Sequence, residues 1–318
     1  MRTLRLLALA ALVVLPWMSP SASASCGSAF CTTATTFDAL GIRLEPGFRL
    51  DLRGDYVDQN TLRAGRHRVG PSGKPDTEDE IGTINRNLVA TMEYAWSPNW
   101  SASVLVPYVS RSHQHTFNDP VEGPVPENWN FNGLGDVKVI GRYQINRSDR
   151  SAVGFRLGLS LPTGSFNEIN REGVRAERTL APGTGTTGLI AGAYLNGEFG
   201  RSTLGYFASA TVQTALNSRE DFRPGTQFLF NAGVSYPATS DVSLLLQVNA
   251  LLKWRDSGLQ AEPEVSGSSQ VFLSPGLNIT VVRNLFLYGF VQLPIYQRVN
   301  GTQLTADWAG VVGISKIW

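Results

Sequence analysis

His113 and His115 stand two residues apart, with Ser110 and Ser112 just before them. Period-two spacing in a strand puts both imidazoles on one face. Such a pair suits metal ligation or acid–base chemistry. A serine–histidine nucleophile of the lipid-hydrolase kind would want a His-x-Ser pattern, and none occurs. The expectation is therefore solvated histidines at the base of a loop. The acidic run Asp76, Glu78, Asp79 and Glu80 has the charge to hold divalent ions, but its simpler reading is also a solvated loop. Cys26 and Cys31 are the only cysteines, too few for a four-cysteine zinc site. They are expected to close a small disulfide loop. No catalytic residue, cofactor site or metal site is assigned, and the chain is read as a non-enzyme without a cofactor.

The elements that carry these residues are strands. In Phe48–Tyr56 one face reads Phe, Leu, Leu, Gly, Tyr and the other Arg, Asp, Arg, Asp. A helix would mix these faces; a strand separates them. Twelve such segments are expected, near 46–58, 83–96, 100–112, 133–146, 151–163, 186–199, 202–216, 226–237, 241–255, 269–282, 285–298 and 304–318. Most are longer than the roughly 5–6 residues of ordinary strands. A tilted strand that crosses a bilayer needs about 9–11. Short connections (97–99, 147–150, 200–201, 238–240, 283–284) alternate with longer ones (59–82, 113–132, 164–185, 217–225, 256–268, 299–303). Bacterial outer-membrane barrels have this asymmetry, with short periplasmic turns and longer extracellular loops.

Composition agrees. Lys+Arg is 27 and Asp+Glu 26, so no basic excess points to nucleic acid. Arg2 and Arg5, the uncharged run 6–18 and Ala22-Ser23-Ala24 read as a signal peptide over 1–24. Residues 25–45 are then a periplasmic segment, a candidate plug for the barrel. Residues 46–318 are the domain, an all-β transmembrane antiparallel barrel of about 12 strands.

A barrel of this kind sorts its residues. Charges facing lipid cost about 2–4 kcal/mol for Arg or Lys at the midplane. Arg49, Asp51, Arg53, Asp55, Asn85, Asn87, Glu93, Lys138, Arg142, Arg156, Glu198, Gln213, Gln247, Asn249 and Lys253 are therefore expected to line the lumen. Inward aromatics are expected at Tyr194, Phe207, Phe272, Phe286, Tyr288 and Phe290. Trp96, Trp100, Tyr236, Trp254, Trp308 and Trp318 are placed at the two membrane interfaces, where amphipathic rings collect. The last strand ends in an aromatic residue, Trp318, like the recognition signal read by the barrel-assembly machinery. Outer-membrane lipid and lipopolysaccharide are the expected surroundings. The glycine-rich stretches lack the pattern of a phosphate loop and are read as turns at the barrel rim.

Three of those stretches carry a resemblance. Gly133-Leu-Gly-Asp-Val-Lys-Val-Ile-Gly-Arg-Tyr143, Leu157-Gly-Leu-Ser-Leu-Pro-Thr-Gly-Ser165 and Leu180-Ala-Pro-Gly-Thr-Gly185 resemble, in order and place, the outer-membrane proteins called the MetA-pathway of phenol degradation family. The resemblance covers about 40–318. It implies an outer-membrane β-barrel that passes hydrophobic or aromatic small molecules. The alternatives are a scaffold barrel that sheathes a periplasmic partner and, more remotely, a lipid-modifying enzyme.

Overall fold

The computed structural model describes residues 46–148, 150–199 and 203–318. The expected leader 1–24, the segment 25–45 and the Cys26/Cys31 pair lie outside them. Alternating polar and apolar residues give fourteen strands among the described residues: β1 (Gly47–Ala64), β2 (His67–Arg68), β3 (Glu78–Ala95), β4 (Trp100–Asp119), β5 (Gly123–Leu134), β6 (Val137–Ser148), β7 (Ser151–Leu161), β8 (Gly188–Glu198), β9 (Gly205–Ala215), β10 (Gln227–Pro237), β11 (Val242–Lys253), β12 (Ser268–Val282), β13 (Leu285–Val299) and β14 (Thr302–Ile317). All but β2 and β5 are staves of one antiparallel barrel in sequence order. The last stave closes on the first, from Arg49↔Ile317 to Ala64↔Thr302. Closure removes the edges that would otherwise invite pairing with other chains.

The period-two pattern now has a physical cause. Outward positions are apolar and exposed: Leu157 is 64% accessible and Val312 62%. Inward positions are polar and buried, with Gln144 and Asn249 at 0%. This inverts a soluble domain and suits a hydrocarbon surround. Trp96, Trp100, Tyr236, Trp254, Trp308 and Trp318 are all exposed on the outer surface. Rings pair across the staves: Trp100 with Tyr143 at 4.6 Å, Tyr56 with Trp308 at 5.1 Å and Phe48 with Trp318 at 5.5 Å.

The strands β3, β4 and β5 rise past this apolar band at the long-loop end. The outward residues of β4 turn polar beyond Tyr108, as Ser110, Ser112, Gln114 and Thr116. Those of β5 are Asn128, Asn130 and Asn132, and Ser112 bonds Asn130 at 2.7 Å. The expected loops 59–82 and 113–132 are thus largely strand, a correction to the sequence reading. The β4 strand serves two partners in series. Its first part, Trp100–Leu105, pairs with β6, and Tyr108–Asp119 pairs with β5. The break between β5 and β6 falls at Gly135-Asp136.

Candidate functional site

The barrel interior has two contrasting walls. One wall, from β1 through β8, is ionic. Glu93 on β3 takes Arg49 at 2.6 Å, Arg142 at 3.6 Å and a hydrogen bond from Ser101 at 2.7 Å. Arg53 meets Asp55 at 2.8 Å. Tyr194 on β8 gathers the arginines of β6 and β7. Arg142 donates to its hydroxyl at 2.6 Å, and the guanidiniums of Arg142 and Arg156 lie 4.4 and 5.1 Å from its ring. A cavity of about 90 Å³ is bounded by Arg49, Asp51, Arg53, Glu93, Arg142 and Arg156 among others.

The opposite wall, β9 to β14, carries few charges: the buried Phe207, Leu245, Leu251, Phe272, Tyr288 and Phe290 are interspersed with buried uncharged polar groups such as Gln227, Gln270, Gln292, Gln303 and Thr305. A polar seam crosses it, with Asn249 donating to Asn231 at 2.8 Å and Ser274 to Asn249 at 2.5 Å. Tyr288 spans the walls by donating to Asp51 at 3.1 Å. Phe286 is half-buried.

Four inward rings share one device. Tyr194, Phe207, Tyr288 and Phe290 stand directly opposite Gly154, Gly233, Gly313 and Gly276 on the neighbouring strand. A Cβ at any of these glycines would sit against its ring. The rings therefore lie against the wall, an aromatic cover over strand glycines. We expect Gly276→Val to swing Phe290 into the lumen. Overpacking of this kind costs about 1–3 kcal/mol. The check is a lower thermal midpoint of the barrel, read by its shift on unheated gels, together with reduced solute passage.

The remaining expected lumen residues fall as follows. Asn85 is buried and Asn87 half-buried on β3. Lys138 donates to Gln213 across the lumen at 3.0 Å, and Lys253 pairs with Asp256 at 2.7 Å. Gln247 is buried. Glu198 stands apart: it is exposed at the short-turn rim, 3.7 Å from Arg150.

The outer mouth is crossed by the connection 162–187. Its Ala176 and Leu180 are buried in one cluster with Leu62 of β1, Leu304 of β14 and Trp129 of β5, strands of the neighbouring group β14-β1-β3-β4-β5. Arg111 on β4 donates to the carbonyls of Thr179 and Leu180, and Trp129 to that of Val174 at 3.3 Å. At its base the connection is tied to Asp136, which accepts from the Gly164 amide at 3.1 Å, the Thr184 amide at 2.9 Å and the Thr184 hydroxyl at 2.8 Å. Thr163 bridges the Gly135 carbonyl and the Val137 amide, both at 2.9 Å. Gly164 and Gly183 touch backbone to backbone, where a Cβ on either would collide. Burial pushes the Asp136 carboxyl up, against these hydrogen bonds and Lys138, which pull it down.

These contacts join the three glycine stretches of the sequence at one node. The reading of them as rim turns missed the clamp, and so missed Asp136, Thr184 and the buried Leu180. The recurrence of Gly-Asp, Thr-Gly and Gly-Thr at three successive strand ends was the available signal.

The histidines and acidic run also need correction. His113 and His115 are buried on the inner face, not solvated. His113 bonds Thr83 at 2.9 Å and His115 bonds Glu127 at 2.7 Å. They sit beyond the apolar band, and burial, with His115 and Arg111 nearby, pushes the His113 imidazole down to about 3. Asp79 and Glu80 are buried as well; Asp79 accepts from the amides of Ser72 and Gly73 at 2.6 and 2.7 Å.

Comparison with known proteins adds to the fold. The crystal structure of the COG4313 outer membrane channel from Pseudomonas putida F1 superposes with a TM-score of 0.67 at 11% identity, over 90% of this chain and 100% of that one. At that identity the likeness is one of architecture. The TodX monoaromatic hydrocarbon channel, in a deletion mutant, aligns over 90% of this chain and 95% of its own at 11% identity and a TM-score of 0.46, and the NanC porin over 84% and 98% at 12% and 0.44. Both are too distant to bear on this chain's function. No protein-family model matches the chain, and no curated protein does.

Proposed function

We propose that this protein is an outer-membrane channel for passive entry of small hydrophobic or aromatic solutes, with the short turns periplasmic and the long loops extracellular. The observation that carries this reading is the two-walled lumen. Its side of aromatic, aliphatic and uncharged polar groups, from Phe207 to Phe290, runs beside an ionic side, and its rings Phe207, Tyr288 and Phe290 lie over strand glycines. A small aromatic molecule gains burial along the first without stripping the second of its partners. About 25 cal/mol per Å² of apolar surface removed from water is a modest gain, suited to passage rather than retention. The exposed outer band and the aromatics at its margins support placement in the outer membrane. The three glycine motifs support kinship with the phenol-degradation family. The expected partners are lipid, lipopolysaccharide, the barrel-assembly machinery acting on the strand that ends at Trp318, and the solute.

Replacing Leu245 and Phe290 together by Ser tests the apolar wall. Uptake of a phenol into vesicles should fall several-fold while leakage of a comparable sugar does not. An equal change in both would mean that the wall does not select.

A further inference from the structure

The inner face of the outer vestibule holds a group of side chains that the channel reading leaves without a task. Glu80 on β3 and His113 and His115 on β4 are all buried, and one donor atom from each lies within 4.8 Å of the others. His113 Nε2 is 3.5 Å from the Glu80 carboxylate. We propose that Glu80, His113 and His115 bind a divalent first-row transition ion of the zinc type, with His115 using Nδ1.

Three features argue for a metal centre rather than a polar patch. The first is how the rings are held. Each histidine has its other nitrogen engaged by a neighbour: His113 Nδ1 with the Thr83 hydroxyl at 2.9 Å, and His115 Nε2 with the Glu127 carboxylate at 2.7 Å. Metal-bound imidazoles are oriented in this way, by a carboxylate or another oxygen on the far nitrogen. The second is that His115 Nδ1 is buried and has no hydrogen-bond partner among the described residues. Trp129 packs 4.5 Å from the His115 ring and 5.6 Å from that of His113, which limits how far either can turn away. The third is access. A cavity of about 240 Å³ reaches His115 and Glu127 from beneath residues 174–180 of the mouth-crossing connection.

The donor set selects the ion. Two imidazoles and one carboxylate match zinc, nickel or copper, whereas calcium and magnesium want oxygen alone. Zinc ligands at about 2.0–2.2 Å lie roughly 3.4 Å from one another, which the His113–Glu80 pair already matches at 3.5 Å, so the wider separations, up to 4.8 Å, must close by up to about 1.4 Å. The neighbouring cation, Arg111, is turned to Asn85 and to the loop carbonyls. A bound ion would tie β3 to β4 just below the connection that crosses the mouth.

The test uses the untagged full-length protein, refolded in detergent, with Cys26 and Cys31 changed to Ser so that thiols do not compete. Equilibrium dialysis against zinc should give one equivalent bound per folded chain. Glu80→Gln and His113→Ala should each weaken binding at least tenfold, and a large excess of calcium should not displace the ion. Because a core variant may fold poorly, X-ray absorption at the zinc edge of the otherwise unchanged protein is the second measurement. It should show a nitrogen and oxygen shell with imidazole scattering. Absence of stoichiometric zinc, a shell without imidazole, or displacement by calcium at parity would each overturn the assignment.

Discussion

Replacing Asp136 by Ala should open the channel. The carboxylate holds the base of the connection 162–187 through three hydrogen bonds, two to backbone amides and one to the Thr184 hydroxyl. At about 1 kcal/mol net for each, its loss releases roughly 3 kcal/mol. That shifts a two-state equilibrium of the connection by about 100-fold toward the released form. The apolar anchor of Ala176 and Leu180 remains, so the expected single-channel record is one of rare closures rather than none. Open probability in planar bilayers should rise at least tenfold over the parent, with the barrel still folded on unheated gels. Thr184→Val, which keeps the amide donor and removes only the hydroxyl, should give a smaller rise. Unchanged conductance in a folded Asp136→Ala protein would show that the connection is not the barrier.

Changing Glu93 to Gln should destabilise the barrel and tilt its ion preference. Glu93 is the carboxylate on which Arg49 and Arg142 converge, and it accepts from Ser101. Removing one member of a buried ionic cluster costs about 3–5 kcal/mol when the remaining charges cannot reach water. Arg49 keeps partial access to solvent, so the low end, about 3 kcal/mol, is expected. Reversible unfolding by urea in lipid vesicles measures it. The same change leaves Arg49, Arg53, Arg142 and Arg156 around the 90 Å³ cavity with one acidic neighbour fewer. The reversal potential in a salt gradient should therefore move toward anions. A variant with unaltered midpoint and potential would remove this cluster from the account.

Much of this molecule is visible in its alternation. Phe48–Tyr56 and Val242–Trp254 read correctly because a sheet with lipid on one side and water on the other has no use for mixed faces. The twelve staves follow from that. What alternation hides is where a stave stops being in the membrane. Pro124 and Pro126 argue against a strand, yet β5 pairs only with β4, and a strand with a free edge tolerates residues that cannot donate there. Period and length also say nothing about where a connection goes once it leaves the sheet. Leu180 and Ala176 are unremarkable in a loop; only the fold shows them lodged among Leu62, Trp129 and Leu304. The histidine spacing pointed to one face, and the extension of β3, β4 and β5 decides that this face is interior. The plug expected of residues 25–45 lies outside the described residues; at the long-loop end the mouth is crossed by 162–187.

The central claim is that small apolar molecules pass through this lumen. The most direct measurement is entry into liposomes that carry the refolded protein, comparing a phenol with a sugar of similar mass after subtraction of bare-lipid leakage. The account predicts faster protein-dependent entry of the phenol, and a further rise for it in the Asp136→Ala protein. Equal rates for the two solutes, or no protein-dependent entry of either from a barrel shown to be folded, would contradict it.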